Sequence, residues 1–310
     1  MRITIGAYLA MVFFIVSCSK GKQEAQPEPA PRFTDSLTGW QVFEHTIPGD
    51  YMNDMAFFGQ TGFITNNKGI YRSVDGGRTW TPVPGDHAGI HSLAFLDSQH
   101  GYGIGRNRYT YTVDGGHTWH TRSENGWDNG EEIQFVTPAK GFKSMDHSLY
   151  STSDTGKTWK KETGISCEAL YFTDSARGWA LLRNNIHITR NGGRTWETKG
   201  TELGYLFSLH FTDSLYGWGS DENYPKLYRT TDGGETWTTI ALPAGFRDLH
   251  FTDRQNGYAV SGYTIWKTTD GGTNWFPFGR SGLGGIVELF IDKQNVLWAA
   301  GKGRVLKKQL

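Results

Sequence analysis

The side chains best suited to chemistry are carboxylates in the irregular segments between the repeated motifs of this chain. Glycoside hydrolysis needs two such groups across a cleft, one as acid and one as base or nucleophile. Candidates for these roles are Glu131, Glu132, Asp221 and Asp248. The same segments also contain Asp54, Asp128, Glu168 and Glu222. Because the chain has 31 acidic residues, such a cluster can also arise without any catalytic meaning.

Arginine and aromatic residues in these segments favour recognition of a protein partner. Arg, Tyr and Trp are the side chains that most often anchor protein interfaces. The candidate binding residues are Arg106, Arg108, Trp127, Asp128, Tyr224, Arg247 and Tyr263. We favour a noncatalytic protein-binding or assembly scaffold, because the repeated residues have structural roles and the hydrolase constellation is incomplete. A glycan-active enzyme or a carbohydrate-binding module is the alternative.

Metal and thiol chemistry have little support in the sequence. His87 and His91 are four residues apart, but they lie where a loop passes into a strand, so the spacing does not place them on one helical face. Cys167 has no base at a recognisable spacing, which is typical of a buried structural thiol. We expect no metal and no cofactor.

A six-residue motif that occurs six times defines the architecture. It begins with an acid or amide and ends with Trp, as in Asp75-Gly76-Gly77-Arg78-Thr79-Trp80. A carboxylate at its start can accept N–H bonds across a turn, and the glycines permit a positive φ. Thr155 and Asn274 depart from the usual Gly and Thr. The first residues of the motifs, separated by 39, 40, 37, 41 and 38 positions, are Asp75, Asp114, Asp154, Asn191, Asp232 and Asp270.

Two aromatic series keep the same period. The first is Phe57, Phe95, Phe135, Phe172, Phe211, Phe251 and Phe290. The second is Phe63, Tyr102, Phe142, Trp179, Trp218, Tyr258 and Leu297. Units of about 40 residues with four short strands are typical of propeller blades. The sequence therefore predicts an all-β fold, a seven-bladed β-propeller, with each motif between the third and fourth strands of its blade.

The N-terminal strand is expected to close the last blade. The C-terminal unit supplies three strands and no motif, whereas Trp40 stands at the motif's Trp position before the first inner strand. A strand from Trp40 to Phe43 is therefore predicted to pair with the strand over 304–308. Such closure removes free sheet edges.

The motifs resemble the Asp-box, or BNR, repeat of sialidases and xyloglucanases, and we call them boxes. Over residues 33–310 the chain most resembles the seven-bladed propellers of the photosystem II stability and assembly factor group and their non-photosynthetic bacterial relatives. The resemblance implies that the boxes are structural and lie on one face, and that ligands engage the opposite face. The Arg-Ile-Pro element of sialidases is absent, and xyloglucanases of this type join two propellers. A sialidase-like or other glycoside hydrolase thus stays the alternative.

The N-terminus predicts a lipid-anchored protein of the bacterial envelope. Residues 1–17 combine Arg2 with an apolar run, the pattern of a secretory signal peptide too short to span a bilayer. The segment Ile15-Val16-Ser17-Cys18 resembles the lipobox of bacterial lipoproteins, which implies that Cys18 is acylated. Residues 18–32 are polar and contain proline, as suits a flexible tether before the propeller over 33–310. Ser19 after the cysteine favours the outer membrane, on its periplasmic or surface side.

Charge and composition exclude other classes of partner. The 31 Lys and Arg residues balance the 31 Asp and Glu residues to a net charge of +0, so no bulk attraction to nucleic acid or to an anionic membrane is expected. The 41 Gly, 12 Trp, 14 Tyr and 18 Phe residues indicate a turn-dense chain with aromatic-packed layers. We expect a monomer that meets the membrane through its lipid only, with another envelope protein or a glycan as partner.

Overall fold

A computed structural model of this chain contains seven antiparallel sheets of four strands each. It describes residues 37–45, 47, 52–123, 130–182, 185–200, 203, 206, 208–282 and 285–310, with backbone only at 130 and 131. The described residues contain strands and turns and no helix. The predicted all-β, seven-bladed propeller is confirmed.

Each of the first six blades uses four strands that follow one another along the chain. Blade 1 has β2 (Met52–Phe58), β3 (Thr61–Asn66), β4 (Gly69–Ser73) and β5 (Thr81–Pro82). Blade 2 has β6 (Ile90–Phe95), β7 (Gly101–Gly105), β8 (Arg108–Thr112) and β9 (His120–Ser123). Blade 3 has β10 (Gly130–Phe135), β11 (Gly141–Met145), β12 (Ser148–Thr152) and β13 (Lys160–Ser166).

Blade 4 has β14 (Ala169–Phe172), β15 (Gly178–Leu182), β16 (Asn185–Thr189) and β17 (Glu197–Gly200). Blade 5 has β18 (Ser208–Phe211), β19 (Gly217–Ser220), β20 (Lys226–Thr230) and β21 (Thr238–Ala241). Blade 6 has β22 (Asp248–Phe251), β23 (Gly257–Ser261), β24 (Thr264–Thr268) and β25 (Phe276–Arg280). Blade 7 joins β26 (Ile286–Ile291), β27 (Val296–Gly301) and β28 (Arg304–Gln309) to the N-terminal β1 (Gln41–Glu44).

The closing strand pairs as predicted, one residue further along than the sequence suggested. Strand β1 runs antiparallel to β28, with Phe43 opposite Val305 and Glu44 opposite Arg304. Trp40 is buried and meets the Phe278 ring edge-on at 5.7 Å between centroids. The two ends of the described chain are thus held together by a strand ladder and one aromatic anchor.

The boxes are self-contained turns. In box 2 the Asp114 carboxylate accepts bonds from the Thr118 amide at 2.9 Å and from the Thr118 hydroxyl at 2.6 Å. The Thr112 hydroxyl donates to Asp114 at 2.8 Å and accepts from the Gly116 amide. Asn191 keeps this pattern with an amide, since its Oδ1 accepts from the Thr195 amide at 2.9 Å. The boxes therefore shape hairpins and leave their carboxylates occupied.

The first aromatic series forms the seams between blades. In blade 5 the Phe211 ring lies over Gly217, where an added Cβ would stand 2.3 Å from the ring. The same ring stacks at 3.6 Å on Trp179 of the preceding blade and meets the box tryptophan Trp237 edge-on at 6.1 Å. Equivalent stacks occur between most neighbouring blades. Apolar packing is therefore distributed over aromatic contacts between neighbouring blades and does not form one central core.

Blade 7 departs from the predicted register by one residue. Ile291 pairs with Leu297 where the other blades pair Phe with Gly, so Phe290 and Leu297 are not the seventh members of the two aromatic series. Trp298 takes the place of Leu297 and stacks at 3.6 Å on Phe57 of blade 1. The reason is steric, because a ring at position 291 needs a glycine opposite and this blade has a leucine there.

Candidate functional site: the axial cavity

The first strand of each blade turns a backbone edge without a strand partner toward the propeller axis. Side chains three positions before the inner aromatic, or before Ile291 in blade 7, reach across to the amides of the next blade. Asp54 accepts from the Leu93 amide at 2.6 Å, Glu132 from the Leu170 amide at 2.7 Å and Asp248 from the Leu289 amide at 2.9 Å. The complete set at this position is Asp54, Ser92, Glu132, Ala169, Ser208, Asp248 and Glu288.

These carboxylates satisfy N–H groups that have no strand partner, so their first role is to fasten one blade to the next. Asp54 also accepts from the Met55 amide at 2.6 Å, and Asp248 accepts from the Ser208 hydroxyl at 3.0 Å. Glu288 differs, because within the described residues its carboxyl accepts no hydrogen bond.

A second ring of polar side chains lies two residues further along the same strands. The Gln134 amide both donates to and accepts from the Phe172 backbone at 2.8 Å. The His210 ring bonds the Phe251 carbonyl at 3.0 Å, and its centroid lies 5.1 Å from that of His250. Tyr171 of blade 4 meets His210 edge-on at 5.1 Å. The axis is therefore lined by acids, imidazoles and a phenol.

A cavity of about 430 Å³ lies on the axis, and its walls are the beginnings of the inner strands. It contains the carboxylates of Asp54, Glu132, Glu168, Asp248 and Glu288. These strand ends lie opposite the boxes, so the cavity opens on the face where ligands were expected. We call the two ends of the propeller the box face and the opposite face.

A second cavity of about 610 Å³ lies at the box-face end and is walled by apolar groups such as Met55, Phe58 and Phe290. Asp54 and Glu288 line both cavities. The axis is thus hollow toward both faces, with two carboxyl groups at the junction.

Burial dominates the electrostatics of the axis. It raises the pKa of Asp54 to about 7, against the lowering effect of the Leu93 and Met55 amides, and the nearby Asp248 raises it further. Burial and the charges of Asp248 and Asp54 raise the pKa of Glu288 well above its ordinary value. Burial, with the neighbouring His250, lowers the pKa of His210 to about 3. Burial also raises the pKa of Tyr171. The axis thus disfavours charge of either sign.

The structure brings three of the predicted site residues together. Glu132, Asp248 and Arg247 line the axial cavity. Arg247 is the one arginine among its described lining residues, and it pairs with Glu222 of the preceding blade at 3.0 Å. A clamp of three arginines on a substrate carboxylate is therefore not found in the described lining.

The other predicted residues lie elsewhere or outside the described part. Arg108 pairs with Asp86 at 2.7 Å, and Tyr224 is 60% exposed on a hairpin of the opposite face. Asp221 is buried and accepts from the Asn223 amide at 2.8 Å, which makes it a turn residue. Arg106 and Tyr263 also occupy hairpins of the opposite face, outside the cavity lining. Cys18, Trp127, Asp128 and the Glu131 side chain lie outside the described residues.

Sequence reasoning did not select Glu288, Tyr171 or His210, which line the cavity. The signal that could have found Glu288 is the position three residues before the inner aromatic, occupied by acids in blades 1, 3 and 6. The register shift in blade 7 hid this position, since counting from Phe290 leads to Val287.

Clusters of metal-ligating side chains and helices of membrane-spanning length are both absent from the part of the chain that the structure describes. No group of three or more His, Cys, Asp or Glu side chains there could hold a metal ion. No helix long and apolar enough to cross a membrane occurs among those residues.

The fold and its hollow axis define a seven-bladed β-propeller. The family model of the DUF6242 β-propeller domain matches residues 32–309 of the chain. The chain therefore belongs to the DUF6242 β-propeller domain family. No curated protein matches the sequence.

Solved structures share the fold at low identity. YCF48 bound to D1 peptide has a TM-score of 0.72 at 21% identity, covering 88% of this chain and 97% of that one. YCF48 from Cyanidioschyzon merolae has a TM-score of 0.69 at 16% identity, with coverages of 87% and 99%. A streptogramin B lyase structure has a TM-score of 0.70 at 12% identity, with coverages of 88% and 99%. The resemblance to the photosystem II assembly factor group is confirmed for the fold.

Proposed function

We propose that this protein is a noncatalytic binding scaffold of the bacterial envelope, and that it holds a segment of a partner protein at the opposite face. The axial cavity carries the proposal. It is large enough for one or two side chains, it opens on a face built from irregular loops, and the repeated residues around it are occupied in fastening blades.

The cavity favours a partner segment with a basic side chain. Its described lining has five carboxyl groups and one arginine, and that arginine already pairs with Glu222. An incoming Lys or Arg would bring the opposite charge to Asp54 and Glu288, whose ionisation burial disfavours. One of the YCF48 structures holds a bound D1 peptide, which supports a peptide ligand for a propeller of this fold.

Partner capture tests this proposal. The lipidated protein is crosslinked in its own cells, and captured proteins are compared between wild type and Glu288→Gln. Glu235→Gln is the matched control, because Glu235 undergoes the same chemical change at a box turn. Capture lost in Glu288→Gln and kept in Glu235→Gln supports the site. Equal capture by both variants places the binding surface away from the cavity and refutes the proposal.

The envelope location rests on residues 1–18. Acylation of Cys18 would hold the protein at a membrane through lipid alone. Cys18→Ala should release the protein into the soluble periplasmic fraction or leave it as unprocessed precursor. If the Cys18→Ala protein fractionates with membranes as wild type does, and no unprocessed precursor is present, another anchor attaches the protein.

One observation favours the glycan-active alternative. Glu132 and Asp248 share a cavity with Asp54, whose pKa of about 7 suits a general acid. However, the carboxylates of Glu132, Asp248 and Asp54 are each bonded to an amide of the next blade. Turnover of an envelope or dietary glycan that disappears in Asp54→Asn, with the fold intact, would establish this alternative over the scaffold.

A further inference from the structure

The side of the propeller at which the chain enters is fixed by the closing strand. Every fourth strand follows its box, so it starts at the box face. Strand β1 is the fourth strand of blade 7, and the residues before it occupy the place of a box. The Lys308 ammonium, near the end of the third strand, donates to the Thr38 carbonyl at 3.1 Å. Leu37, the first described residue, therefore lies at the box face.

The box face carries an arc of basic side chains on neighbouring blades. The variable position of the box is occupied by an exposed cation in blades 1, 3 and 4, namely Arg78, Lys157 and Arg194. In blade 2 this position is His117, which lies 3.3 Å from the Arg72 guanidinium. In blade 5 it is Glu235, and in blade 6 Thr273. The cations thus follow one side of the face.

Further cations reach the same turns from the preceding blade. Arg122 donates to the carbonyls of Gly156 and Lys157 in box 3, at 2.6 Å and 3.1 Å. Lys140 donates to the Gly192 carbonyl in box 4. Arg194 and Lys140 are close enough that the Arg194 charge contributes to lowering the pKa of Lys140. We define the cationic arc as Arg72, Arg78, Arg122, Lys140, Lys157 and Arg194.

The six cations of the arc outnumber the three box acids of blades 1 to 4. Within the described residues, none of its six members forms an ion pair, whereas Glu235 pairs with both Arg190 and Lys199. The ionised box acids Asp75, Asp114 and Asp154 offset part of the charge, as does Glu162, whose charge acts on Lys140. Box 4 has no acid at all, because Asn191 stands there.

Two exposed apolar side chains accompany the arc. Val74 and Val113 precede the acids of boxes 1 and 2 and are 59% and 52% exposed. Basic residues interspersed with exposed apolar ones on one surface are what an anionic bilayer surface attracts.

We propose that the cationic arc docks the box face on anionic phospholipid headgroups, so that the opposite face and its cavity point away from the bilayer. The inference rests on the proposed envelope function, because the lipid on Cys18 would bring the box face to the membrane. The 18 residues between Cys18 and Leu37 reach at most about 60 Å when extended, so the lipid alone leaves the orientation open. The arc would set the orientation of the propeller, since its cations and the lipid headgroups attract each other only within about 8 Å of the membrane surface.

Vesicle sedimentation tests the arc without the lipid. The chain from residue 18 onward, without the predicted signal peptide and carrying Cys18→Ser, is mixed with vesicles of equal parts phosphatidylglycerol and phosphatidylcholine, or of phosphatidylcholine alone. We expect binding to the first only, weakening with salt. Each cation near such a surface is worth about fivefold in affinity, so Lys157→Ala with Arg194→Ala should lose roughly 25-fold.

The matched control removes two cations from hairpins of the opposite face, with Lys302→Ala and Lys68→Ala. It should bind as the parent does. Equal losses in the two double variants, or no binding by the parent, would overturn the proposal. So would retention on immobilised polyglutamate without sedimentation, because this outcome identifies an acidic protein as the partner.

A fluorescence measurement tests which face of the propeller meets the vesicle. In the Cys18→Ser protein the other cysteine, Cys167, is fully buried, so a fluorophore attached to Val113→Cys or to Tyr224→Cys reports one face at a time. Anionic vesicles should shift the emission from the Val113 site and leave the Tyr224 site unchanged. The reverse result refutes the orientation. Partner capture at Glu288 is measured separately, so failure of the scaffold function and failure of membrane docking are distinguishable.

Discussion

The protonation of Asp54 should make the stability of the propeller depend on pH in a direction opposite to that of its box acids. Burial on the axis raises the pKa of this carboxyl from 3.8 to about 7. Between these values the folded protein holds a proton that the unfolded chain has released. The stabilisation is therefore fully present below pH 3.8 and is lost as the pH rises through 7. At about 1.4 kcal/mol per pH unit, the loss approaches ~4 kcal/mol.

Replacing the carboxyl by an amide removes this titration, together with the part of the raised Glu288 pKa that the Asp54 charge causes. Asp54→Asn cannot ionise, and it keeps one acceptor for the amides of Met55 and Leu93 while losing the other. The lost acceptor costs about 1–3 kcal/mol at every pH. Between pH 4 and pH 8 the unfolding free energy of the variant should therefore rise relative to that of wild type by up to ~4 kcal/mol. The low pKa of His210 affects both proteins alike and cancels.

Denaturant unfolding at pH 4, 6 and 8 measures this difference. Asp114→Asn is the control, because hydrogen bonds from Thr118 hold the pKa of this box carboxyl far below its ordinary value. Its contribution is present above pH 3.8 and lost only as the pH falls further, so its difference from wild type should be flat from pH 4 to pH 8. A flat difference for Asp54→Asn as well, or one that moves against the variant, would show that this carboxyl is ionised in the folded protein.

Three further outcomes concern the scaffold itself. Trp40→Ala should destabilise by about 3–5 kcal/mol through loss of a buried ring, whereas Phe276→Ala, at 62% exposure, should stay within about 0.5 kcal/mol in the same thermal melt. Deleting residues 33–45 exposes the edge of β28 and should lower the melting temperature by much more, and an unchanged melt would refute the closure. Asp114→Ala should cost more than Asn191→Ala, because the carboxylate makes charge-assisted bonds that the amide does not.

The blades could be predicted because their chemistry repeats. A box needs its acid, glycine and Trp at fixed offsets, and an inner Phe needs glycine on the paired strand, so each blade repeats the same constraints along the chain. The prediction of Phe290 as the inner aromatic of blade 7 was wrong, because Leu297 occupies the glycine's place opposite Ile291 and Phe290 lies opposite Trp298. The closure was predictable for a similar reason, since Trp40 satisfies the box geometry without a box.

The cavity was harder to predict because its members belong to different blades. Asp54, Glu132, Asp248 and Glu288 are separated by 40 positions or more, and only the ring closure brings them to one axis. Arg247 was selected as a binding residue, yet its pairing with Glu222 joins two irregular loops that carry no repeat. Such pairs follow from loop conformation, which spacing does not encode.

A net charge of +0 describes the chain but not its two faces. The axis collects acids because a carboxylate three residues before the inner aromatic can cap the amide of the next blade. The box turns of blades 1 to 4 collect bases because their variable position points outward, where a cation costs nothing to solvate. Composition therefore argues against bulk attraction to an anionic membrane and says nothing about local attraction. Since each charge set follows from a position in the repeat, exchanging Lys157 and Glu235 should move the basic surface around the face while the net charge and the fold stay the same.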